Sequence, residues 1–248
     1  MNDVVQNDTS VADLQKELEN TKQIQEEFIY KISHELRTPI TAIKGSLSTV
    51  LEGYTGELPQ ATKDILKTAY NENDRLIRLV NNLLALSRIE GGRFTYAIKN
   101  TDIDAVIVKV VDSLKMAVKE KDLFITYEQA EKLPLVATDE DKISEVIINL
   151  IGNAIKYTQK GGVTVATSIQ GETVVVSITD TGIGIRKEDE QYLFKKFSQV
   201  QAAHSQQPGT GLGLFVCKQI IDGLNGKIWV ESSVGIGSTF FFSLPIVK

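Results

Sequence analysis

Between Phe28 and Val50 the apolar residues Phe28, Ile32, Leu36, Ile40, Ile43, Leu47 and Val50 recur every three or four positions, the period of one helical face. Leu14 and Leu18 extend the pattern upstream, so a long amphipathic helix is expected from about Val11. Glu52-Gly53-Tyr54-Thr55-Gly56-Glu57-Leu58-Pro59 breaks it with two glycines, and Pro59 suits the first turn of a second helix. That helix carries Ile65, Ala69, Leu76, Val80 and Leu83, then stops near Gly91-Gly92. An antiparallel hairpin over 28–91 follows. Residues 1–27 read as a charged lead-in helix with weak coiled-coil character, because Thr21 and Gln25 occupy seam positions. Two helices enclose no core by themselves, so two hairpins are expected to pair as a two-fold symmetric four-helix bundle.

After Gly91-Gly92 the texture changes. Short alternating or β-branched runs predict strands at Phe94–Ile98, Leu123–Tyr127, Val163–Ile169, Thr173–Thr179, Lys227–Val230 and Thr239–Leu244. Helical patterns lie near 104–120, 140–157 and 211–223. Mostly antiparallel strands with helices between them predict an α/β sandwich over 92–248, one layer of each. Ser198 to Pro208, rich in Gln, Ala and Ser, reads as a mobile loop.

Charge and cysteine content narrow the partners. The 248 residues carry 27 Lys+Arg against 32 Asp+Glu, a formal charge of −5, which leaves no broad cationic surface for nucleic acid. Cys217 is the single cysteine. It permits no intramolecular disulfide or thiolate zinc site and suits a reducing, cytoplasmic setting. Apolar runs are too short to insert in a bilayer, so the chain is expected to be cytoplasmic, either free or as part of a longer membrane-bound sensor.

His34 stands apart from this pattern. At 100° per residue the apolar set fills roughly a 120° arc, and His34 falls about 180° from its centre. The ring is expected to face solvent. Thr38 follows one turn along the same face, and Glu35 flanks the ring. A carboxylate there could take the proton of one imidazole nitrogen and leave the other free to attack an electrophile. Pro39 has no amide for the Glu35 carbonyl, so the helix is expected to bend beside the histidine. A solvated surface histidine satisfies the same pattern.

Further candidates lie in the second half. Asn149, Asn153, Lys156 and Tyr157 fall on adjoining turns of one helix, where carboxamide oxygens suit Mg²⁺ and a lysine suits phosphate. Taken by itself, the motif is better explained by a helix that merely ends in polar residues. Asp180 ends a strand before Thr181-Gly182-Ile183-Gly184-Ile185, where a carboxylate can accept from an exocyclic amine and the glycines admit a planar base. A plain loop has the same signature. Gly209-Thr210-Gly211-Leu212-Gly213-Leu214 opens a helix whose free amides favour phosphate. Neither glycine run has the pattern of a Walker A loop or a dinucleotide fingerprint.

Ser33-His34-Glu35-Leu36-Arg37-Thr38-Pro39 resembles the phosphoacceptor box of sensor histidine kinases, and the hairpin ending Leu86-Ser87-Arg88-Ile89-Glu90 resembles their dimerisation domain. Asn153, Asp180-x-Gly182-x-Gly184, Phe194 with Phe197, and Gly209-x-Gly211-x-Gly213 are similar to the N, G1, F and G2 boxes of the ATPase domain of histidine kinases, Hsp90, MutL and gyrase. The resemblance spans roughly residues 25 to 246. It implies a dimeric helical bundle followed by a Bergerat-type α/β sandwich. It further implies that His34 takes a phosphoryl group, Glu35 acts as its acid or base and Thr38 positions water for dephosphorylation. ATP contacts are implied for Asn149, Asn153, Lys156, Tyr157, Asp180, Gly182, Gly184, Ile185, Phe197, Gly209, Thr210, Gly211, Leu212, Gly213, Leu214 and Thr239, with Mg²⁺ on Asn153. The implied partner is the receiver domain of a response regulator.

In many relatives an arginine stands two positions after the lid phenylalanine, where this chain has Gln199. No Lys or Arg occurs from Phe197 to Leu214, and His204, the titratable group of that stretch, reads as solvated surface. A phosphatase-dominant protein and a non-catalytic, nucleotide-sensing dimeric scaffold are the alternatives. A chaperone-like ATPase leaves the His34 hairpin without a purpose.

Overall fold

The computed structural model describes residues 2–129, 132–198 and 210–247, in two compact units, Met1–Phe94 and Thr95–Lys248. The first unit is the helical hairpin, with α1 over Asn2–Leu51 and α2 over Gln60–Glu90. α1 starts earlier than its apolar pattern and runs through Pro39 to Leu51 as one helix. Pro59 is the residue before α2 rather than part of its first turn. Gly91 closes α2, its amide bonding to Ser87 O at 3.0 Å, and Gly92 turns the chain with φ +65°.

The apolar stripe of α1 is only partly covered within one chain. Ile40 is 9% exposed, whereas Phe28 is 64% and Ile43 51% exposed, and Ile65 on α2 is 70% exposed. Exposure of large apolar side chains on this scale is unfavourable by about 25 cal/mol for each Å² of apolar area.

The second unit contains, in chain order, β1 (Lys99–Thr101), α3 (Ile103–Lys119), β2 (Phe124–Glu128), β3 (Val136–Thr138), α4 (Glu140–Tyr157), β4 (Gly162–Gln170) and β5 (Thr173–Asp180). The short α5 (Lys187–Glu190), then α6 (Gly213–Gly223), β6 (Lys227–Ser233) and β7 (Gly237–Pro245) complete it. Five strands form one sheet in the order β2-β4-β5-β7-β6, and β1 pairs with β3 separately. Only the β2–β4 pair is parallel; the other pairings of the large sheet are antiparallel. Ile107 of α3, Ile147 and Leu150 of α4 and Ile220 of α6 are fully buried, as are Val165, Val176, Ile178 and Phe242 of the sheet. Asp102 and Asp139 cap α3 and α4 by accepting from first-turn amides, including Lys142 N at 3.1 Å.

Two strand assignments change. Phe94–Ile98 is not a strand: its aromatic alternation imitates one, but the Tyr96 hydroxyl donates to Gln219 O at 3.2 Å and Ala97 N to Asp139 Oδ2 at 2.8 Å. The first strand is Lys99–Thr101, and its partner Val136–Thr138 is too short to show a period. Among the described residues no helix is long and apolar enough to cross a membrane.

Candidate functional site

His34, Glu35 and Thr38 are exposed on α1, while Ser33 beside them is fully buried. The face argument therefore describes the ring correctly. Pro39 lies inside α1, so the Glu35 carbonyl has no amide four residues on.

In the second unit, α4 carries Asn149 and Asn153 on successive turns of one side, both half-buried, with the Asn153 carboxamide donating to Asn149 Oδ1 at 3.4 Å. That long bond uses the Asn153 nitrogen and not its oxygen. Lys156 and Tyr157 follow, the ammonium 5.0 Å from the ring centre. Asp180 ends β5 at 5% exposure. Its Oδ1 accepts from Gly182 N at 2.8 Å and Ser238 N at 3.3 Å. Oδ2 has no hydrogen bond among the described residues. Burial raises the carboxyl above its ordinary range, and the two amide bonds pull against that rise.

The glycine turns pack onto these groups. Gly213, first residue of α6, lies against the Asn149 carboxamide, and an added β-carbon would fall 2.7 Å from its nitrogen. Gly211 has φ +69° and meets the backbone of Phe197, where a β-carbon would lie 2.6 Å from the carbonyl carbon. Both positions exclude a side chain. Thr210 Oγ1 accepts from Leu212 N at 3.2 Å, holding the turn, and Leu212 is buried while Leu214 is half-buried. Gly182 packs on the Tyr157 carbonyl, and Gly184 and Ile185 reach the β6–β7 hairpin, where Ile185 N donates to Ser232 Oγ at 2.8 Å. Phe197 is 65% exposed. Gly209, Gln199, His204 and the rest of the loop expected up to Pro208 lie outside the described residues.

Thr239 lies one position from the residue of β7 that faces Asp180. It pairs with Thr179, the two hydroxyls 3.1 Å apart, whereas Asp180 pairs with Ser238. Side chains alternate across a strand, so Thr239 faces away from Asp180 and Ser238 shares its side. Ser238 is buried, donates its amide to Asp180, and its hydroxyl lies 2.9 Å from that of Ser232. The period of two in β7, with Ser238, Phe240 and Phe242 buried, carried the signal for this residue.

Among the described residues no cluster of three or more His, Cys, Asp or Glu could hold a metal ion. Mg²⁺ bound chiefly by phosphate and water asks less, one oriented oxygen, and the Asn153 oxygen, without a hydrogen bond among the described residues, fits that requirement. The donor set fits a nucleotide-borne cation.

Residues 24–92 match the His Kinase A (phospho-acceptor) domain, and residues 138–248 match the histidine kinase-, DNA gyrase B- and HSP90-like ATPase. The circadian input-output histidine kinase CikA of Synechococcus elongatus is 32% identical over 223 residues, covering 88% of this chain and 30% of CikA. The sensor histidine kinase WalK of Bacillus subtilis is 35% identical over 233 residues, covering 92% of this chain and 38% of WalK. The chain thus spans about a third of the length of these relatives. Full-length ShkA, solved in complex with AMPPNP, superposes with a TM-score of 0.72 at 28% identity, covering 90% of this chain and 46% of that one. With a phosphoacceptor-type hairpin followed by an ATPase-type sandwich, and these relatives, the chain belongs to the sensor histidine kinases of two-component systems.

Proposed function

We propose that the chain is an ATP-dependent protein-histidine kinase core in which His34 is the phosphoacceptor and the second unit carries the nucleotide. The observation that carries this reading is the presence in one chain of an exposed histidine beside Glu35 and a buried Asp180 with one carboxylate oxygen unbonded among the described residues. Asp180 Oδ2 would accept from the exocyclic amine of adenine, and the turn ending at Gly213 would offer free amides to phosphate. Mg²⁺ on Asn153 would neutralise charge on the phosphate oxygens.

Phosphoryl transfer chiefly requires alignment and charge neutralisation. Glu35 accepts the proton of one ring nitrogen while the other attacks the γ-phosphorus. A nitrogen–phosphorus bond forms, the bond from the γ-phosphorus to its bridging oxygen breaks, and ADP leaves with that oxygen. The resulting phosphoramidate would pass to an aspartate of a response-regulator receiver domain. Freedom at Gly91-Gly92 suits the approach that the transfer requires.

The exposed stripe of Phe28, Ile43 and Ile65 supports a homodimer through the hairpin. Asn153→Ala is expected to remove Mg²⁺-dependent labelling by ATP while the protein sediments as a dimer, like the parent chain. Labelling at the parental rate would dismiss Asn153 as the metal ligand, and a monomeric parent chain would dismiss the pairing.

Thr38, exposed one turn beyond His34, supports a second activity, dephosphorylation of the partner by water held at its hydroxyl. Thr38→Ala is expected to slow release of phosphate from the phosphorylated regulator about tenfold or more, and autophosphorylation much less. Equal losses would show that Thr38 has no separate hydrolytic role.

A further inference from the structure

Three polar pairs join α1 to α2 with a regular spacing. The Arg88 guanidinium lies over the Tyr30 ring at 5.9 Å, Arg37 donates to Asn81 Oδ1 at 3.0 Å, and Lys44 pairs with Asp74 at 2.7 Å. Along α1 the chain advances seven residues from Tyr30 to Arg37 and again to Lys44, and along α2 it steps back by the same seven from Arg88 to Asn81 and to Asp74. Seven residues are two turns of a supercoiled helix, so the pairs lie along one edge of the hairpin in a single antiparallel register. Sliding either helix would break all three together.

The middle pair stands beside Pro39, where α1 lacks one backbone hydrogen bond. Pro39 denies the Glu35 carbonyl its backbone donor and crowds it, which opens the hydrogen-bond ladder in the turn after His34. Arg37 is three residues beyond His34 and two before Pro39. Its bond to Asn81 crosses to the second helix at the level of that gap. The Lys44–Asp74 pair is on the other side of Pro39.

We propose that Asn81 is a positioning residue for the phosphoacceptor: by holding Arg37 it fixes the His34 turn against α2, so that the ring is presented in one orientation. The inference rests on the reading of His34 as the phosphoacceptor. A hydrogen bond on the surface adds little to stability, so the contribution lies in geometry, where a displacement of about an ångström slows a reaction by up to roughly a hundredfold.

The test compares Asn81→Ala with Asp74→Ala in the full chain, since each removes one interhelical pair. Asn81→Ala is expected to lower the autophosphorylation rate at saturating ATP about tenfold, with KM for ATP and nucleotide affinity unchanged. Asn81→Asp, which offers Arg37 a carboxylate, should restore most of the rate. Asp74→Ala should lower the melting temperature at least as much and leave the rate near the parental value. Backbone amide exchange around His34, measured on the same proteins, should quicken in Asn81→Ala and not in Asp74→Ala.

Exchange does not depend on which residue takes the phosphate, so an unlabelled parent chain would count against the proposed function alone. Unchanged exchange in Asn81→Ala overturns the positioning role. Slowing of both variants in proportion to their lost stability also overturns it. A slow Arg37→Ala beside a fast Asn81→Ala would assign the guanidinium to the phosphoryl group itself and remove Asn81 from the reaction.

Discussion

Incubated with Mg²⁺ and ATP carrying a radioactive γ-phosphate, the chain is expected to take up an acid-labile, alkali-stable label, and His34→Ala to fall to background. The chemistry of the bond makes the readout specific. A phosphoramidate hydrolyses in acid and survives alkali, the reverse of a phosphoserine ester. The substitution is also a clean one, because His34 is exposed and alanine is the strongest helix former, so the cost in stability should stay within about 0.5 kcal/mol. Nucleotide affinity should be unchanged, since the groups assigned to ATP belong to the second unit. Label persisting in His34→Ala would end the phosphoacceptor assignment. Loss of both label and nucleotide affinity would point to misfolding, which circular dichroism of the helices distinguishes.

The second large effect is expected at Asp180. Asp180→Asn keeps the size and can keep the oxygen that accepts from Gly182 N and Ser238 N, but it places an amide where Oδ2 stood. A donor would then face the exocyclic amine of adenine, another donor, in a site that is 5% exposed. Two buried donors without an acceptor cost about 2–3 kcal/mol, close to a hundredfold in affinity. Titration with a fluorescent ATP analogue measures it. The same amide matches the carbonyl that guanine carries at the corresponding ring position, so GTP should lose much less and can gain. Equal weakening of ATP and GTP would mean that Asp180 holds the glycine turn without reading the base.

Acid should act in the same direction as the substitution. Burial lifts the Asp180 carboxyl above its ordinary range, so the proton returns earlier on acidification than it would to an exposed aspartate. A protonated Oδ2 is again a donor facing the amine. Affinity for ATP should therefore be retained above the raised pKa and decline as pH falls through it.

The long apolar periods were enough to recover α1, α2, α4 and α6, because each buries a stripe wide enough to repeat several times. β4, β5 and β7 were legible for the related reason that Val, Ile and Phe alternate along them. β3 was not, since three residues cannot display a period. Parallel pairing of β2 with β4 leaves no local trace, being a property of where the chain returns after α4. The segment at Tyr96 misled because extended backbone fastened by side chains has the same alternation as a strand.

The site divides similarly. His34 could be placed on the outer face by angle alone, and Asp180 at the end of its strand by the glycines that follow. Thr239 and Ser238 differ by one position, and in a strand one position is the whole difference between the two sides of a sheet, so the register pairs Ser238 with Asp180 and Thr239 with Thr179. Arg37 with Asn81 lay in plain view as residues, but their pairing depends on how two distant helices are aligned, which neither helix encodes separately.

The uncovered stripe on the hairpin makes the fold of that unit a matter of mass action. Phe28, Ile43 and Ile65 face water in a lone chain, so the proposed pairing with a second copy would supply the cover that the hairpin lacks, whereas the sandwich buries Leu150, Ile178 and Phe242 within one chain. Dilution should therefore loosen the hairpin first, leaving a monomer whose sandwich is still folded.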